Sequence, residues 1–205
     1  MQRLIDQHPL QRGAHASRDD GMCAMEMVAW LAGEPHSDEP TCACPVIAAF
    51  VRACNDAMSD EGRNRYLRPL VPKLVNTRAT AALERRRGLV VVDALVRHLL
   101  PAWLRRHRRL DEARLLGELP PITGVEDLRA SLRAVEHFAV DQHSARWVLQ
   151  RALEDLPPAR FVAGAVQIAR ALNDRASWTL VVRTIELMVE VGPAETSRCA
   201  ADGVG

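Results

Sequence analysis

Apolar residues recur along this chain at the three- and four-residue intervals of helices, and no long stretch alternates with the period of two that a half-buried strand requires. Met22 to Ala32 reads as a short apolar helix, with Asp19 and Asp20 placed to cap it and Gly33 to close it. Glu34 to Cys44 carries Pro35 and Pro40 and is followed by Pro45, so it reads as a constrained loop. Pro45 suits the first turn of a second helix, Val46 to Met58. Asp60 then caps a third helix running to about Leu70. From Thr80 to His107 the spacing of Leu83, Val90, Leu95, Leu99 and Leu104 predicts one long helix bent at Pro101, with Gly88–Val92 offering a short strand instead. Further helices are expected near 109–117, 124–138, 141–155, 158–172 and 174–191, split by Pro120-Pro121, Pro157-Pro158 and Asn173-Asp174.

These elements predict an all-α fold, a multi-helix bundle or short helical array with an irregular Cys/His/Asp-containing N-terminal loop. Three regions are expected: an N-terminal module over 1–78, a helical array over 79–192 and a flexible tail over 193–205.

Composition narrows the picture. Aromatic residues are only 4% of the 205, so the core must be built from Ala, Val, Leu and Ile, which suits closely packed helices. Net charge is +1 and makes no case for nucleic acid. Among 27 basic residues only Lys73 is lysine, a bias that reads as GC-rich codon use. The longest apolar run, Leu89 to Leu104, is interrupted by Asp93, Arg97 and His98 and cannot span a bilayer. Five cysteines, Cys23, Cys42, Cys44, Cys54 and Cys199, make an odd count, and with no secretory signal pattern they suggest reduced thiols in a cytoplasm.

The residues with chemical potential crowd between His15 and Asp56. The string GMCAME, followed by VAWLAGEPHSDEPTCACPVI, resembles a group of uncharacterised bacterial and phage-borne proteins that share such an N-terminal block. The resemblance covers roughly residues 13–78 and implies no activity.

Three readings of the block compete. Cys23, Cys42 and Cys44 with His36 or His15 would supply ligands for zinc or iron, although Cys-x-Cys is less diagnostic than paired Cys-x-x-Cys. The deaminase pattern is not met, because the spacings here are Cys-x-x-Glu and Cys-x-Cys. In a catalytic pocket, a helix-terminal thiolate at Cys23 or Cys44 would be the nucleophile, with His36 or His15 as base and Asp38 or Glu26 orienting it. Alternatively Glu26 and Asp38 would do acid–base work alone. The third reading is structural, with cysteines packed as small hydrophobes and the loop acting as a rigid clasp in a helical protein that binds another protein.

Other signals are weaker. Arg105-Arg106-His107-Arg108-Arg109 ends a long helix, where basic residues complement the dipole and are usually solvated. Trp30, Trp103, Trp147 and Trp178 fall one per helix, as core anchors do. Met22, Met25 and Met27 flank Cys23 and are expected to pack as apolar residues rather than bind copper. Arg52 is placed to pair with a carboxylate of the loop.

Overall fold

In the computed structural model residues 5, 7–138 and 141–192 are described, and among them no residue lies in a strand. The chain is a helical array. Helix α1 (Ala24–Leu31) and α2 (Pro45–Ala57) flank the proline-containing loop, followed by α3 (Asp60–Tyr66), a 3-10 turn (Arg68–Leu70) and α4 (Val71–Leu74). Then come α5 (Ala81–Ala94), a π-helical turn (Leu95–Leu99), α6 (Leu100–Arg106), α7 (Leu110–Gly117), α8 (Val125–Phe138) and α9 (His143–Leu153). Two 3-10 turns (Pro158–Arg160 and Val162–Ala165) lead into α10 (Val166–Leu172), and α11 (Arg175–Glu190) ends the described chain. The expected tail, 193–205, lies outside the described residues, as does Cys199.

Five boundaries differ from the sequence reading. The first helix begins at Ala24 and is capped by Cys23, not by Asp19 or Asp20, because the Cys23 sulfur lies against the Glu26 N–H. Gly88–Val92 is helical, inside α5, because the β-branched valines pack as one side of a buried helix, with Val91 and Val92 almost fully enclosed. The third helix is capped by Ser59, whose hydroxyl accepts the Gly62 N–H, and Asp60 is its first residue. The long helix departs from regularity one turn before Pro101: the Leu100 N–H reaches back to the Leu95 carbonyl in a π turn. Proline lacks the N–H that would have bonded Arg97, and the widened turn takes up that break. Finally, 158–165 forms two 3-10 turns instead of a helix. Gly88 and Gly164 explain the need for them: a Cβ at Gly88 would lie 2.6 Å from Pro158, and one at Gly164 would lie 2.7 Å from Val148. The chain is pressed too closely between α5 and α9 for a full helical cylinder there.

Helix α2 is the hub. It packs against α1, α5, α10, α11 and both 3-10 turns of 158–165. Its Val46, Ile47, Phe50 and Val51 are buried in an apolar cluster that runs without a break from Ile5 to Met188. The junction at 78–79 therefore does not separate two cores. Arg87, on α5, reinforces the join: it is buried, and it donates to the carbonyls of Thr77 and Met188. Among the described residues no helix is long and apolar enough to cross a membrane.

Candidate functional site

The chemistry-bearing block is organised around Glu26, in the first turn of α1, whose side chain is 1% exposed. Cys23 is the N-cap of that helix. The Glu26 N–H lies 3.5 Å from the Cys23 sulfur, and the Glu26 carboxylate returns to accept the Cys23 N–H at 2.6 Å. This is the reciprocal capping box, with a thiol in the place usually held by a hydroxyl. The same carboxylate accepts the His15 backbone N–H at 2.6 Å and the His15 ring at Nδ1, 2.8 Å away. An acceptor of that kind requires the His15 proton on Nδ1. His36 approaches from the loop, its Nε2 3.5 Å from Glu26 Oε1 and 3.1 Å from the His15 carbonyl oxygen. The His36 Nδ1 is buried and has no hydrogen-bond partner.

Electrostatics follow from this wrapping. Burial pushes the Glu26 carboxyl up, but the N–H groups of Cys23 and His15 and the His15 ring outweigh it and hold the carboxyl below its ordinary value. A carboxylate so held is a weak base, the opposite of what acid–base work near neutrality needs. Cys23 moves the other way: burial and the neighbouring Glu26 charge outweigh the helix N–H bonds and push its thiol up to about 12. The thiolate expected at Cys23 does not form near neutral pH, since the helix-end N–H is spent on capping a neutral sulfur.

Around this centre further polar groups hold the loop and the neighbouring segments. Glu34 accepts Thr41 N–H, Thr41 Oγ1–H and Cys42 N–H, which closes the loop, and its carboxyl is held low chiefly by the Thr41 hydroxyl. Asp38 pairs with Arg52 at 3.7 Å, and Arg52 also donates to the Asp38 carbonyl and to Glu39. Cys42 is half-buried, and its carbonyl accepts the Arg78 N–H. Cys44 is the buried N-cap of α2, with its N–H on the Thr77 hydroxyl. Cys54 is enclosed in the core, where burial raises its thiol. The three methionines at 22, 25 and 27 pack in the same core. Asn55 and Asp56 hold the segment before α1, through the Gln11 carbonyl and the Gly13 N–H respectively. Asn64 exchanges two hydrogen bonds with Leu10. Arg63, buried, donates to the carbonyls of Asn55 and Met58 and pairs with Asp60.

The structure thus joins Cys23, Glu26, His36 and His15, and places Asp38 on Arg52 instead. Among the described residues no group of three or more His, Cys, Asp or Glu side chains is arranged to hold a metal ion. The quartet of Cys23, Cys42, Cys44 and His36 expected to take zinc or iron is therefore not assembled. The Cys23 sulfur caps α1, Cys44 starts α2, and His36 turns to the His15 carbonyl. The sequence assigns no role to Glu34, Asn64 or Thr77, and suggests only a helix-end cap for Asn55 and a solvated arginine face for Arg87. Apart from Glu34, which closes its own loop, their partners lie up to 101 residues away, and no local pattern reveals such pairs.

A second feature lies among the C-terminal helices. An open cavity of about 880 Å³ is bounded by the π turn, α6, α7 and the start of α11. Ala102, Leu110, Leu172 and Leu180 line it, and Arg97, Arg105, Arg106 and Arg114 ring it. A cavity of about 430 Å³, with Val90, Ala94, Ile122 and Leu187 in its walls, shares His98 and Leu180 with the first. Together they form a groove. Leu110 is 65% exposed there.

No family model, no curated protein and no solved structure matches this chain.

Proposed function

We propose that this chain is a non-enzymatic helical interaction protein whose N-terminal block is a structural clasp. The observation that carries the reading is the state of Glu26. Its two oxygens meet three N–H donors within 2.8 Å, it is buried, and its proton affinity is depressed. Three of the carboxylate's four lone-pair sites are taken, and the fourth, on Oε1, faces the His36 Nε2 at 3.5 Å, so little of it is open to a substrate or a metal ion. The thiols speak for the same reading, since Cys23, Cys44 and Cys54 are buried among apolar side chains. The groove on the C-terminal helices is, by contrast, open and has an apolar lining, which suits the docking of a partner.

Thiol alkylation followed by peptide mapping, run beside metal analysis of protein purified without chelator, tests the reading. Slow labelling of Cys23, Cys44 and Cys54 at a rate set by unfolding, with no stoichiometric metal, is the expected result. A stoichiometric metal, or one of these three reacting faster than an unstructured thiol at neutral pH, overturns it.

A further inference from the structure

We infer that the groove between α6, α7 and α11 receives an acidic segment of a partner protein, one that also offers leucine-like side chains. This deepens the interaction reading above and rests on it. The cavity's chemistry is two-fold. Its floor is aliphatic, with Leu110, Leu172 and Leu180. Its rim carries four guanidinium groups against the carboxylates of Glu118 and Asp174.

Those two carboxylates are already engaged. Asp174 accepts the Ser177 N–H as the cap of α11, and Glu118 pairs with Arg114 at 3.2 Å. Arg97 is paired with Asp93 along its own helix, yet its Nε is buried without a partner. Arg106 spends one N–H on the Leu172 carbonyl and meets no carboxylate among the described residues. Arg105 is exposed and has neither an ion pair nor a side-chain hydrogen bond among the described residues. The rim thus holds N–H donors in excess of acceptors, around an apolar floor.

Side-chain carboxylates fit the guanidinium fork two oxygens at a time. Aliphatic side chains of the same segment would cover Leu110 and continue past Leu180 into the adjoining apolar cavity. An amphipathic helix laid in a groove has this combination of one charged and one apolar side. A nucleic-acid strand fits less well. No Phe, Tyr or Trp ring lines the cavity to stack a base.

The test is selection from a random-sequence peptide library displayed on phage, with the full chain as target. Enriched peptides should be acidic, with Leu, Ile or Met three or four positions apart, and their binding should weaken as salt is raised. Arg105→Glu and Leu110→Asp should each weaken them by about tenfold or more. Both residues are exposed, so unchanged circular dichroism and melting would show that the fold is intact. Enrichment indifferent to acidity, or unmoved by both variants, overturns this inference and leaves the interaction reading standing on another surface. Displacement of the peptides by an oligothymidylate of comparable affinity also overturns it, in favour of a nucleic acid. If no peptide is enriched the inference falls, and the interaction reading is then decided by the thiol and metal measurements above.

Discussion

Cys23 sits where serine or threonine usually begins a helix, and its sulfur does their work with a longer bond. If capping is its whole role, Cys23→Ser should change stability by less than about 1 kcal/mol, since the hydroxyl is the stronger cap and the thiol the better apolar filler. Cys23→Ala, which removes the acceptor, should cost about 1 kcal/mol, read by urea unfolding. pH provides a second check. The Cys23 thiol is pushed up to about 12 in the folded chain from an ordinary 9.0. The folded state therefore keeps a proton that the unfolded chain releases, and stability should fall as pH rises through that interval. Glu26 has the opposite sign: its folded carboxyl is held below the ordinary 4.5. Its contribution is complete above that value and disappears as pH drops through the lower folded one. A wild-type acid limb steeper than that of Glu26→Gln is the expected observation.

At the scale of elements, close approach decides where regular helix gives way. Gly88 lets α5 lie against Pro158, and a methyl group there would sit 2.6 Å from the proline ring. Gly88→Ala should therefore cost about 1–3 kcal/mol despite alanine's better helix propensity. Gly124→Ala, where a Cβ meets nothing within 4 Å, should be close to neutral by the same unfolding assay. Most elements could be read from the sequence, because apolar periodicity, Asn173-Asp174 and the proline pairs are local signals. Asn173 does end α10 in a left-handed turn, and Asp174 does cap α11. The departures near 95–99 and 158–165 could not be read. The turns of 158–165 are set by what lies across the core, Pro158 on α5 and Val148 on Gly164. At 95–99, Pro101 marks a break but does not reveal that a π turn one turn earlier absorbs it. Trp147 shows the same limit: it was expected as a core anchor, yet it is 41% exposed, with Arg151 over its ring.

For the molecule as a whole, one core links the block to the helical array. Arg87 bridges the carbonyls of Thr77 and Met188 deep in that core, and no short nonpolar side chain can satisfy both. Arg87→Leu should cost about 2–4 kcal/mol, from two orphaned carbonyls and a lost stem contact. Because α2 is shared by both halves, unfolding should be a single transition. Variants keeping only Trp30, on α1, or only Trp178, on α11, should report the same midpoint by fluorescence. Two separated midpoints would make the 1–78 module an independently folding unit. The candidate block could be located in the sequence by its density of Cys, His and carboxylates. Its role could not, since the roles of Glu26, His15 and His36 depend on which donors surround one oxygen pair in space.

The most direct test of the clasp is the equilibrium stability of Glu26→Gln at neutral pH. The substitution keeps the shape, removes the charge, and turns an amide N–H₂ toward N–H donors that now face a carboxylate. The clasp predicts a loss of about 3 kcal/mol or more, with the difference from wild type shrinking at acid pH. Unchanged or increased stability would contradict it, because residues held for chemistry rather than for the fold are the ones whose loss relieves strain.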